Sequence, residues 1–187
     1  MRTRRRVLVA SALSMSVTVT GCLDDGLDEL PGIGGREETE QQDQRREILL
    51  TYEDALGERN DGIETRDGGI ELFNAEAYAD AIDEMETALD RFAAAADGFE
   101  TAADAAAEID SDDPDVEEAR GICLDAAENT RIQVEATEAG LAATTAAADD
   151  EAAGTINDHI MTYQDLVEEA EAIPVADGDK LADVLGF

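Results

Sequence analysis

Between Tyr78 and Ile109 the chain repeats a pattern every seven residues. Tyr78, Met85, Phe92, Phe99 and Ala106 form one row, and Ala81, Ala88, Ala95, Ala102 and Ile109 follow three places after each. Ile82, Leu89, Ala96 and Ala103 widen the stripe. A seven-residue recurrence held for more than four repeats matches helices that wind around each other with a left-handed twist. One row is bulky and the other mostly alanine, so a partner helix can approach closely between the large side chains. Asp80, Asp83, Glu84, Glu86, Asp90, Asp97, Glu100, Asp104 and Glu108 fall on the opposite, solvated face. A helix over about 70–109, rising roughly 1.5 Å per residue, would be nearly 60 Å long, either as a rod or with a kink.

Three further helices are expected around it. Residues 38–66 place Leu49, Leu56 and Ile63 seven apart, with Tyr52 in the same stripe, and Asp67-Gly68-Gly69 reads as a stop. Asp113-Pro114 reads as an N-cap followed by proline at the first helical position, opening a helix to about Ala148. Its apolar face is weak: Val116, Ala119, Cys123, Ala127, Thr130, Val134, Thr137 and Leu141. The last helix runs from about Glu151 to Ala172, with Ile156, Ile160, Tyr163, Val167 and Ala170 inward, and ends before Pro174. Short polar breaks favour antiparallel neighbours. The expected fold class is therefore all-α: an elongated bundle of about four helices, up-and-down or in paired hairpins, following a flexible tether. Its expected divisions are a signal peptide at 1–21, a lipidated cysteine and acidic tether at 22–36, a helical bundle at 37–173 and a C-terminal tail at 174–187.

The N-terminus supplies the address. Met1 to Arg6 is strongly basic, Val7 to Thr20 is uncharged and mostly small, and Gly21-Cys22 follows. That order is the order of an export signal, and the stretch is too short and too hydroxylated for a membrane span of roughly 20 apolar residues. Thr3-Arg4-Arg5-Arg6-Val7-Leu8 resembles the twin-arginine export motif, which assigns Arg4 and Arg5 to export. Thr18-Val19-Thr20-Gly21-Cys22 resembles a lipobox, with Gly-Cys in place and Thr18 and Val19 where leucine is usual. The resemblance implies acylation of Cys22 and a lipid-anchored protein on the extracytoplasmic face of the cell membrane. Leu23 to Gly35 then mixes acids with turn formers and lacks a helical period. About 14 flexible residues have an r.m.s. reach of about 20 Å, enough to hold a domain clear of lipid headgroups.

Charge is the second constraint. There are 47 acidic residues against 13 basic ones, and Lys180 is the sole lysine. The net charge of −34 becomes −38 when Arg2, Arg4, Arg5 and Arg6 leave with the signal. Repulsion on that scale opposes compaction in dilute buffer. At molar salt the Debye length is about 3 Å and most of the penalty is gone. Abundant carboxylates, scarce lysine, many alanines and few aromatics, together with the signal, resemble the exported lipoproteins of halophilic archaea. The same charge disfavours nucleic acid and anionic substrates.

Tyr78-Ala79-Asp80-Ala81-Ile82-Asp83-Glu84-Met85-Glu86-Thr87-Ala88-Leu89 resembles the second helix of a tetratricopeptide repeat over those 12 residues. The pattern continues instead through Phe99, without a proline loop or a second copy at the repeat period. A heptad helix accounts for the same residues.

Chemistry-bearing groups are sparse. His159 is the only histidine, and Ile156 stands where a Glu-x-x-His di-iron site needs a carboxylate. It reads as a half-buried side chain at the edge of an apolar stripe. Cys123 is the one thiol left once Cys22 is lipidated, and Ala119, Ala126 and Ala127 around it favour burial. Asp110-Ser111-Asp112-Asp113-Pro114-Asp115 collects carboxylates but lacks the glycine and distal glutamate of an EF-hand loop, so it reads as a capped, solvated turn. No enzyme, cofactor or metal is expected. The expected role is a membrane-anchored helical interaction or scaffold module of the cell envelope, held by lipid at Cys22 and engaging an envelope protein or a second copy of itself through exposed apolar positions on the weak third helix. The alternative is an accessory ligand-binding component associated with a membrane transporter.

Overall fold

The computed structural model describes residues 34–109 and 113–187, with side chains from residue 39 onward. Arg4, Arg5 and Cys22 lie outside the described residues, as does the start of the acidic cluster at 110–112. The described residues form an elongated all-α bundle of five helices in order, α1 (Gly34–Asn74), α2 (Tyr78–Glu108), α3 (Pro114–Ala148), α4 (Ala153–Glu171) and α5 (Gly178–Leu185). No strand is present among the described residues.

The α1–α2 hairpin shows what the heptad row of α2 is for. Phe92, Met85 and Phe99 are buried, and the first two lie against glycines of α1 in antiparallel register. A Cβ on Gly62 would stand 3.0 Å from the Phe92 ring, and one on Gly69 would stand 3.2 Å from Met85 Cε. Gly98 faces Ala55 so closely that a Cβ there would lie 2.8 Å from the alanine Cβ. Large residues of one helix thus sit over glycines of the other, and Tyr52 meets Phe99 with ring centroids 5.0 Å apart.

This packing corrects two expectations. Gly68 and Gly69 do not stop the first helix, because Gly69 lies beneath Met85 inside the α1–α2 contact; α1 continues to Asn74 and α2 begins at Tyr78 rather than near 70. The buried stripe of α1 is Ile48, Tyr52, Ala55, Gly62, Arg66 and Gly69, whereas Leu49, Leu56 and Ile63 are only half-buried. The small residues face the partner and the larger neighbours flank the interface.

The hairpin turns end without glycine. After α1, Ala77 N–H reaches Leu72 O and Glu76 N–H reaches Phe73 O, with Glu76 at φ 61°. After α3, Glu151 N–H reaches Ala146 O and Asp150 N–H reaches Ala147 O, with Asp150 at φ 51°. Both are Schellman endings built on a non-glycine left-handed residue. α5 closes the same way on Gly186, at φ 84°. The start of α3 follows the sequence: Asp113 caps it by accepting from Asp115 N–H at 3.0 Å, and Pro114 stands at the first helical position.

α3 is the central helix, which corrects the expectation that its weak face is exposed. Val116, Ala119, Cys123, Ala126, Ala127, Thr130, Gln133, Ala136, Thr137, Ala143 and Thr144 are all buried, against α2 on one side and α4 and α5 on the other. Small side chains permit close contact on both sides. Thr130, Thr137 and Thr144 each donate to the carbonyl four residues back, at 2.7, 2.7 and 2.9 Å, so burial leaves no hydroxyl unsatisfied.

The segment expected to be a tail carries α5, which fills the space between α1 and α3 at the end where α1 begins. Leu181 and Leu185 join Ile48, Tyr52, Phe99, Ala119 and Cys123 in the main apolar core. Tyr52 Oη donates to Ala176 O at 2.7 Å. Arg45 holds the same end together, donating to Leu185 O at 3.2 Å and pairing with Asp113 at 2.6 Å.

Candidate functional site

α4 and α5 divide the fourth position of the bundle between them. α5 packs on both α1 and α3, whereas α4 packs on α3 with no Cα within 8 Å of α1. The bundle is therefore closed by backbone packing at the end where α1 begins and only by side chains at the opposite end. The α1–α4 seam is the distinctive surface of the fold.

Two arginines of α1, seven residues apart, fill its middle. Arg59 donates to Asn129 Oδ1 through Nη2 at 3.0 Å and Nε at 3.2 Å. Burial pushes the Arg59 pKa down from its ordinary value, with a smaller opposing influence from Tyr52. Asn129 Nδ2 in turn donates to Ala170 O at 2.7 Å and Ile173 O at 2.8 Å, so one buried amide ties α1 to the last turn of α4 and the chain beyond it. One level further, the Arg66 guanidinium donates to Gln133 Oε1. Its Cζ lies 5.8 Å from the Phe92 ring centroid and 5.7 Å from that of Tyr163. Arg66 is 6% exposed and its Nε has no hydrogen-bond partner among the described residues. A guanidinium between two aromatic faces is stabilised by their quadrupoles where water is excluded.

Beyond Arg66 the seam opens into a half-enclosed cavity of about 270 Å³. Ile70, Phe73 and Asn74 of α1, Met85 of α2, Gly140, Ala143 and Thr144 of α3, and Ile160, Tyr163 and Gln164 of α4 line it. Every charged side chain is missing from that lining, and burial pushes the Tyr163 hydroxyl above its ordinary pKa. On the outer side of α1 a shallow recess runs along Asn60, Ile63, Glu64, Asp67, Gly68 and Glu71.

The other sequence candidates do not converge on this region. Cys123 is free and buried in the core at the closed end, and desolvation pushes its thiol pKa up to about 12. It is an inert apolar residue by position. His159 is half-buried on α4. Asp113, the described member of the acidic cluster with Asp115, serves as cap and as partner of Arg45; the backbone N–H of Asp115 is the main cause of its lowered pKa. No group of three or more His, Cys, Asp or Glu side chains among the described residues is placed to hold a metal ion. No helix among them is long and apolar enough to cross a membrane. The seam residues Arg59, Arg66, Asn129 and Gln133 escaped the sequence reading. Their signal was present in the spacing, seven in a chain short of cations and four on the facing helix, where both members sit among small residues. The chain matches no protein-family model, no curated protein and no solved structure.

Proposed function

We propose that this protein is a lipid-anchored, extracytoplasmic helical interaction module of the cell envelope, exported through a signal containing Arg4 and Arg5 and tethered by acylated Cys22. The observation that carries the docking role is the seam between α1 and α4, which are neighbours without direct backbone packing. Ile63, Ile70 and Phe73 on one side and Ile160, Tyr163 and Val167 on the other stay only partly buried. A partner helix with an apolar stripe would fill that seam, and basic residues flanking the stripe would meet Glu64, Asp67 and Glu71. The tether enters at the opposite end, where α1 begins. At about 1.5 Å per residue, the open end lies some 50 Å or more from the start of α1.

Photo-cross-linkers placed at Ile63 and at Val167 in intact cells at native salt, with Asp125 as the control position, test the docking role. One dominant envelope protein captured from the seam positions and not from Asp125 is the expected result. Equal capture from all three, or recovery of the protein without companions, refutes it; capture of a second copy replaces the partner with self-association. Cys22→Ser is expected to move the protein out of the membrane fraction, and unchanged retention would refute the lipid anchor. A second reading, an accessory ligand-binding component associated with a membrane transporter, draws support from the cavity at the open end.

A further inference from the structure

We infer that the cavity at the open end of the seam binds a small, neutral, apolar molecule of about the size of one or two rings. The inference rests on the ligand-binding reading of that cavity and on no transporter partner. Its volume of about 270 Å³ is close to the lower end, about 300 Å³, of small-molecule pockets. It also exceeds the roughly 150 Å³ of an apolar cavity that stays dry and admits benzene. Four helices contribute to the lining, so a ligand there would touch all of them.

The four-helix lining carries the site, and Gly140 is the position in it at which the space can be probed. It lies in the interior of α3, where glycine is among the poorest helix formers. A Cβ at that position would stand 3.5 Å from Tyr163 Cδ2 and 3.6 Å from Met85 Cε and Sδ. Those are ordinary contact distances, unlike the clashes at Gly62 and Gly98, so packing does not demand glycine at Gly140. What a methyl there would do is fill part of the cavity. Met85, opposite, has the unbranched and polarisable side chain that adapts to varied apolar shapes.

The class of ligand follows from the lining. Among the described residues the lining offers no cation for an anion and no carboxylate for a cation, and the Tyr163 ring, which could otherwise attract a cation, already faces the Arg66 guanidinium. The nearest buried cation, Arg66, is covered by the Tyr163 ring and does not serve an anion in the cavity. Asn74, Gln164 and the Tyr163 hydroxyl provide a few polar groups beside the apolar wall, suited to one hydrogen bond with an uncharged ligand.

The test uses the full chain at molar salt, with toluene and indole as neutral probes and benzoate and benzylammonium as charged ones. Methyl NMR follows Met85, Ile70 and Ile160, and thermal melting is recorded in parallel. Toluene and indole should shift those methyls with a Kd on the order of 1 mM or tighter and raise the melting temperature. Gly140→Ala should melt higher than the parent in the absence of probe and bind both neutral probes several-fold more weakly. Ala143→Leu, which fills more of the space, should abolish the shifts. Charged probes that bind in a Gly140-sensitive way while neutral ones do not would overturn the ligand class and leave the site standing. Failure of all four probes to move those methyls would overturn the site, as would undiminished binding to Gly140→Ala or shifts confined to exposed Leu50, Leu124 and Met161.

Discussion

Asn129 ties the end of α4 to the rest of the bundle. Its orientation is fixed by its partners, because Oδ1 must accept from Arg59 while Nδ2 must donate to the carbonyls of Ala170 and Ile173. Asn129→Ala removes both donated bonds and one acceptor. Each buried bond lost contributes about 1 kcal/mol, with an added desolvation cost where a partner is left unpaired. The Arg59 share is discounted because that side chain is half-exposed and can turn to water. The expected loss is about 2–4 kcal/mol, which for a domain of this size lowers the melting temperature by roughly 5–12 °C. Asn129→Asp is the sharper variant. It offers Arg59 a better acceptor and places oxygen where Nδ2 stands 2.7 and 2.8 Å from two carbonyl oxygens. If tying down α4 is the main role, the aspartate should be at least as damaging as alanine. Circular dichroism melts at 222 nm in molar salt decide the matter. An Asn129→Asp protein as stable as the parent would refute the reasoning and leave Asn129 as a partner of Arg59 alone.

Leu181→Ala removes a fully buried side chain from the α5 contact and should cost about 2–5 kcal/mol in chemical denaturation; a cost below about 1 kcal/mol would mean that α5 is dispensable. Alkaline stability should fall because burial raises the Cys123 thiol from 9.0 to about 12 and also raises the Tyr52 hydroxyl. A raised folded-state pKa favours the neutral form in the native protein, so this stability is present below about pH 9 and drains away as pH rises towards 12. Cys123→Ala should flatten that decline when denaturation midpoints are compared at about pH 8 and pH 10.5, and an unchanged slope would count against it. Glu76→Gly should stabilise the α1–α2 turn by about 1 kcal/mol, since a left-handed backbone strains any side chain; a lower melting temperature would refute that. Helicity at 222 nm should rise between dilute buffer and about 1 M salt as screening relieves self-repulsion, and full helicity in dilute buffer would contradict it.

The helices and their approximate limits were legible because periodicity and capping are local. The heptad rows of α2 and the Asp113-Pro114 start of α3 needed no partner to be recognised. Gly68 and Gly69 were misread for the opposite reason. A glycine pair carries the same letters whether it breaks a helix or admits a neighbour, and only Met85 lying over Gly69 distinguishes the two. Gly62, inside the expected helix, admits Phe92 in the same way. α5 was missed because an eight-residue helix has little stability of its own; Leu181 and Leu185 hold it by joining a core of residues more than 50 positions away.

The candidate site divides along the same line. Arg59, Arg66, Asn129 and Gln133 are ordinary polar letters on helices until antiparallel packing sets one pair against the other. The seam and its cavity follow from lengths: α4 is short, Pro174 ends its neighbourhood, and α5 closes one end while leaving the other bridged by side chains. The sequence by itself determined helicity, an acidic surface and the expectation of an anchored address, since each depends on residue type and spacing along the chain. Tertiary structure alone decided which glycines are contacts, which polar groups are buried and where the bundle stays open, because those properties belong to pairs of helices and to the space between them.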